Sequence, residues 1–292
     1  MRIGTQLNHL SEIDWLSSLG VDVFLVCSKE FSTKTNHSFP QDELADVVSV
    51  IHRHQKKCYL LLNAMIHEEH LPQLRNYLSF VKSLDMDAIV AFDWTLYPIS
   101  KSLGLEQKLI YQPSTLTTNL YDPWFYESQG IKGLTIAREI TLDSISAIVQ
   151  NNHALELSLV GHGYAPMFYS YRPLITLFDE ENKTSLPSIK GHELFSLQES
   201  SREDTRYPIY EDAFGTHIFR EKKLESFNEI QLIRPYLSDF FIDRFLLSDE
   251  ELTDSIAAYQ NPKRRELFRQ KHGHEYDSGF YYRKTNRLRG DE

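Results

Sequence analysis

Leu155–Leu174, LELSLVGHGYAPMFYSYRPL, is the stretch on which the reading of this chain turns. Its first six residues form an apolar run with the alternation of a β-strand, ending in Gly161-His162-Gly163-Tyr164. Glycine permits a sharp turn and a close approach by a ligand, and an imidazole with an ordinary pKa of roughly 6.5 serves as acid, base or ligand. The competing reading of His162 is a hydrogen-bonded residue in a strand-terminal turn. Beyond Ala165 the regular rhythm stops and a tyrosine-rich segment around Arg172 begins.

Upstream of this stretch, short apolar runs alternate with helical periodicity, the signature of βαβ units. Strands are expected at 1–7, 21–27, 58–64, 88–92, 108–111, 133–137 and 155–160. Between them, Leu44, Val47, Val48 and Ile51, then Leu71, Leu74, Leu78 and Val81, then Ile145, Ile148 and Val149 recur at helical spacing. Ser11 with Asp14, Thr141, and Ser248 with Glu251 are expected to open helices. An eighth strand is read at 239–245. Eight strand–helix units with one long interruption predict an α/β fold, a (β/α)8 barrel of TIM type with an insertion between strands seven and eight, with an open doubly wound sheet as the other reading. The expected organisation is 1–165 for the first seven strands, 166–237 for an insertion with small β elements, 238–261 for the last strand and its helix, and 262–292 for a basic tail.

The whole chain of 292 residues carries 31 Lys+Arg against 41 Asp+Glu, a net charge of −10. That sign disfavours a nucleic-acid or anionic-membrane surface over the whole molecule. Residues 262–292 differ: 9 Lys+Arg less 5 Asp+Glu leaves +4, so 1–261 carry −14. Such a tail is either a solvated end or an arm for RNA or an acidic partner. Two cysteines, Cys27 and Cys58, supply neither a disulfide framework nor a zinc site, which points to a reducing cytoplasmic setting. No apolar window reaches the roughly 20 residues of a membrane helix, and no signal peptide is expected at the N-terminus. His52-x-His54 and His272-x-His274 lack a third ligand nearby, so no metal is expected there. Dinucleotide, Walker, nucleophile-elbow and zincin motifs are absent from the sequence.

In a barrel, chemistry gathers at the C-terminal strand ends. Those positions hold Gln6, Ser28, Asn63, Asp93, Gln112 with Ser114, Arg138-Glu139, His162 and Asp243-Arg244. Glu139, Asp93 and His162 are the candidate catalytic groups, with Glu139 or Asp93 as general base. Gln112, Ser114, Arg138, Tyr164, Tyr169, Arg172 and Arg244 are the candidate substrate-binding residues, the arginines through their forked donors. Adjacent Arg138 and Glu139 point to opposite faces if the strand continues, which leaves a structural ion pair as the other reading. No lysine is placed at a strand end, which disfavours a Schiff-base mechanism.

The segments IYQPSTLTTN, LTIAREITLDSI and LSLVGHGYAPMFYSYRPL, with the region before SDEEL, make the chain resemble the collagenase-like peptidases of family U32. The resemblance implies a TIM-type barrel. It implies either a protease-like hydrolase or, in another branch, a component of oxygen-independent tRNA wobble-uridine hydroxylation. Many members hold an iron–sulfur cluster on four cysteines; the first two of those positions fall here on Pro166 and Pro173, so no cofactor is expected. The implied partners are a peptide or tRNA substrate and a longer, cysteine-bearing relative.

Overall fold

The computed structural model describes residues 1–152, 154–186 and 194–283. Eight parallel strands close a barrel: β1 (Arg2–Gln6), β2 (Val23–Cys27), β3 (Lys57–Leu62), β4 (Ala88–Ala91), β5 (Leu109–Tyr111), β6 (Gly133–Ile136), β7 (Glu156–His162) and, after an interruption of five described strands and two α-helices, a last strand Asp239–Ile242. The interruption holds β8 (Pro166–Ser170), β9 (Phe195–Glu199), β10 (Arg202–Asp212), β11 (Gly215–Phe219) and β12 (Lys223–Leu224); the closing barrel strand is β13, and β14 (Tyr276–Asp277) follows it. The barrel order β1-β13-β7-β6-β5-β4-β3-β2 is that of the expected fold. The helices are α1 (Ile13–Ser18), α2 (Leu44–Arg53), α3 (Leu71–Val81), α4 (Leu96–Leu103), α5 (Tyr121–Ser128), α6 (Leu142–Gln150), α7 (Leu174–Asn182), α8 (Ile230–Ile233), α9 (Asp249–Gln260) and α10 (Arg265–His272).

Strand alternation sorts the core into two layers. Val23, Leu25, Cys27, Tyr59, Leu61, Val90 and Phe241 form one cluster that fills the barrel. Their neighbours Phe24, Val26, Leu60, Leu62 and Ile89 turn the other way and pack under the helices. The apolar faces read from α2, α3, α6 and α9 lie in that outer layer. Thr141 accepts from the Ser144 N–H and Ser248 from the Glu251 N–H, so both caps form as read. The first helical turn differs: it starts at His9, and Glu12 rather than Asp14 accepts the Asn8 and His9 N–H groups.

Strand β7 runs two residues further than its apolar pattern suggests. Val160 pairs with Phe241 but His162 pairs with Ile242, so Gly161 is an extra residue on β7. A Cβ at Gly161 would lie 2.2 Å from the Phe240 ring, which is why this bulge needs glycine. The bulge resets the alternation and sends the next side chain to the opposite face.

The insertion folds as a four-stranded sheet, β8-β11-β10-β9, that reaches over the C-terminal end of the barrel. The end of the described chain is not a solvated arm. Phe268 of α10, Tyr276 and Tyr281 are buried, and β14 pairs with β12. Residues 284–292 of the expected tail lie outside the described residues.

Candidate functional site in the barrel mouth

A cavity of about 220 Å³ opens at the C-terminal strand ends, between the barrel and the insertion sheet. Gln112, Ser114, Arg138 and Tyr169 line it, joined by Thr33, Lys34, Asn63, Thr135, Asp243 and His217, with an apolar wall of Met65, Phe92, Met167 and Phe168. Tyr169 is held by donation of its hydroxyl to the Phe214 carbonyl at 2.7 Å, and its ring lies 5.0 Å from that of His217. Gln112 Nε2 donates to Thr135 Oγ1 at 3.4 Å.

Arg138 lies two residues beyond the end of β6 and is only 9% exposed. Among the described residues its buried Nη1 has no hydrogen-bond partner and no carboxylate stands within ion-pair distance of its guanidinium. Burial lowers its pKa, opposed by the more distant charges of Asp243 and Glu139, yet a guanidinium stays protonated in proteins. Lys34 is the second cation. It sits in the loop after β2 with φ of 53°, its N–H bound to Asp212 Oδ2 at 3.2 Å. Its ammonium has no ion-pair partner among the described residues, and burial brings its pKa down to about 8 against the pull of Asp212 and Asp243. Among the described residues Asp243 is the one carboxylate in the lining; Gln6 Nε2 donates to it at 2.8 Å.

Several expected site residues lie elsewhere. His162 is fully buried and faces outward because of the Gly161 bulge, between Tyr276, Phe227, Phe268 and Tyr259. Ser255 spends its hydroxyl proton on the Glu251 carbonyl at 2.6 Å and therefore accepts from His162 Nε2 at 2.8 Å, which fixes the neutral tautomer. Burial pulls the His162 pKa down to about 3. This imidazole is a structural element of the helix–barrel layer, not a group of the mouth. Arg244 is 2% exposed and is bound by Glu12 at 2.7 Å and Asp249 at 2.6 Å; of the Asp243-Arg244 pair it is the aspartate that reaches the mouth. Asp93 uses both oxygens on backbone, accepting from the Ile66 and Thr95 N–H groups at 2.9 Å each, so it joins two loops. Tyr164 packs on Phe219 and under the Lys223 ammonium, and Arg172 is exposed; neither lines the cavity. Glu139 stands behind Arg138, half-buried with its pKa raised by burial against the pull of Arg138 and Arg220, and outside the lining.

Lys34, Thr33 and His217 were not expected in the site. Thr33, His217 and Asp212 look like a nucleophile, base and acid, but their bonds run the wrong way. Thr33 Oγ1 donates its proton to Asp212 at 2.5 Å, so it accepts from His217 Nε2 at 2.9 Å. Burial and the Lys34 charge hold the His217 pKa near 2, so the ring is too weak a base to activate a hydroxyl.

Pro166 begins β8 and Pro173 precedes α7, where the resemblance would place cluster cysteines. Cys27 points into the barrel and Cys58 toward the helices, 3.6 Å from the Met86 sulfur, with burial raising both thiol pKa values. Among the described residues no three His, Cys, Asp or Glu side chains converge as metal ligands. These residues do not fit an iron–sulfur cluster.

A family model, peptidase family U32, matches residues 8–289. The chain belongs to family U32. A Bacillus subtilis relative named tRNA hydroxylation protein P2 is 28% identical over 247 residues, spanning 84% of this chain and 80% of that protein. An uncharacterized protease of Methanocaldococcus jannaschii is 24% identical, with 96% of this chain and 72% of the relative covered. The Escherichia coli tRNA hydroxylation protein P is 22% identical over 57% of this chain and 37% of its own length. A solved U32 peptidase structure overlays with a TM-score of 0.51 at 16% identity, covering 83% of this chain and 92% of that one, and agrees with the barrel. No described helix is long and apolar enough to cross a membrane.

Proposed function

We propose that this U32 protein acts in tRNA hydroxylation, holding a single nucleotide of the RNA in the barrel mouth, and is not a peptidase. The observation that carries the reading is Arg138: a nearly buried guanidinium lining the mouth whose Nη1 no described residue satisfies. Leaving a buried charged donor unpaired costs on the order of 1–3 kcal/mol or more, a cost that makes sense where an anion completes the bond. Lys34 beside it favours a phosphate or an enolate-like oxygen, and Phe92, Phe168 and Tyr169 offer faces for a planar base. A cavity of about 220 Å³ is below the roughly 300–1,000 Å³ of drug-sized sites and suits one base-sized group better than a polypeptide segment. The names of the Bacillus subtilis and Escherichia coli relatives support the RNA assignment. With prolines at the cluster positions, the redox centre is assigned to a longer, cysteine-bearing partner.

The test is mass spectrometry of tRNA from a strain lacking the gene, with the purified protein assayed on gelatin in parallel. Loss of hydroxylated wobble uridine, restored by the wild-type gene, and no gelatin cleavage above a buffer blank are expected. Unchanged tRNA together with cleavage that Glu139→Gln abolishes would reverse the assignment in favour of a peptidase.

The lowered pKa of Lys34 adds a pH signature. A lysine contributes attraction only while protonated, so affinity for RNA should fall as pH rises through about 8. Ordinary surface lysines titrate only near 10.4, so this loss should vanish in Lys34→Arg. A binding curve flat to pH 9 would remove Lys34 from the RNA site.

A further inference from the structure

A second concavity lies beside the mouth, formed by β8, β10, the turn after β11 and the last described residues. Met167 lines both, so the two are continuous across the edge of β8. Arg202, Arg220, Lys222 and Arg283 face this groove against Glu221 and Asp277. Arg220 is already neutralised, its two terminal nitrogens on the two Asp277 oxygens at 3.0 and 2.7 Å. That pair fixes the groove floor. The other three cations remain available. Lys222 has no ion-pair partner among the described residues. Arg202 is 63% exposed, with only a Tyr207 hydroxyl at 2.9 Å and a long contact to Glu199. Arg283 is 67% exposed and 4.0 Å from Asp277. Such charges stand out on a chain of net −10, and Lys284, Arg287 and Arg289 follow in sequence.

We infer that this groove is the track for the phosphodiester backbone of single-stranded RNA flanking the nucleotide in the mouth. The inference rests on the proposed RNA function and names how the polymer lies. Forked guanidinium donors match phosphate oxygens. Met167 and Phe280 supply apolar surface for ribose or base contacts between them. An acidic protein partner would meet the same charges, but it would gain nothing from continuity with a base-sized mouth.

The full chain is titrated into fluorescently labelled tRNA by anisotropy at several KCl concentrations. Wild type is compared with Arg202→Ala/Lys222→Ala/Arg283→Ala and with a control of equal charge, Arg53→Ala/Arg75→Ala/Lys82→Ala, on the outer helices. The groove variant should bind about tenfold more weakly, with the slope of log K against log salt smaller by about 2, since each phosphate contact on a single strand contributes about 0.7. The control should follow wild type, and Arg202→Lys/Arg283→Lys should recover part of the loss. If the groove variant matches the control while Arg138→Met loses binding, the groove assignment fails and the mouth survives. Wild-type protein with no salt-dependent tRNA binding overturns both, and preferential capture of an acidic protein over RNA overturns the groove as an RNA track.

Discussion

Arg138→Met is expected to make the protein more stable and less active at once. The wild-type guanidinium is desolvated, unpaired at Nη1 and surrounded by the Lys34 charge and only distant carboxylates. Replacing an uncompensated buried charge by an apolar side chain of similar length removes a desolvation cost. A gain of about 1 kcal/mol corresponds to a rise in Tm of roughly 2–4 °C for a large single domain. The same change deletes a charge-assisted bond to the bound anion, worth about 1.5–3 kcal/mol, or about 10- to 150-fold in affinity. Thermal melts and tRNA binding on the same preparation read both signs. Arg138→Lys should fall between, because an ammonium keeps the charge and loses the fork. A variant that melts lower than wild type while binding RNA normally would make Arg138 a structural residue.

The contrast between Arg138 and Arg244 shows how far sequence reading reaches. Both follow a barrel strand, and both were candidate anion binders. Arg244 is instead ion-paired through both terminal nitrogens with Glu12 and Asp249, leaving only its buried Nε without a partner among the described residues, and Glu12 lies 232 residues away in the sequence. The strands themselves were legible because apolar alternation is a local property, and every barrel strand lies within a few residues of its expected place. His162 was misplaced by a single bulge: the glycine that made it look like a strand-end residue is the one that turns it outward, away from the mouth and under α9 and α10. Lys34 was missed because it lies seven residues beyond β2, not at the strand end. The polar run Ser32-Thr33-Lys34-Thr35-Asn36 in the long β2–α2 connection was the signal that a functional loop stood there. His217 and Asp212 come from the insertion, whose placement over the mouth depends on contacts far apart in sequence.

The two buried imidazoles should make the fold fail in mild acid. In the unfolded chain a histidine titrates at roughly 6.5, whereas His162 is held down near 3 and His217 near 2 in the folded protein. Between those values the unfolded state binds more protons than the native state, so stability rises with pH there and falls as pH drops below about 6.5. Each group removes about 1.4 kcal/mol per pH unit, so at pH 5 the pair together costs on the order of 4 kcal/mol, a large share of a typical 5–15 kcal/mol. Carboxylates such as Glu12, Asp87 and Asp277, whose pKa values are lowered by their partners, add their own loss only at pH below the ordinary carboxylate range. Tm measured from pH 7.5 to 5 should therefore decline steeply before the ion-paired carboxylates Glu12, Asp87 and Asp277 protonate. His162→Gln should lower Tm at pH 7.5, through the bonds to Ser255 and Tyr259, yet shallow the acid slope by about half. A wild-type Tm unchanged between pH 7 and 5, or a His162→Gln slope as steep as wild type, would show that these rings are hydrated in solution and not sealed between the barrel and its helices.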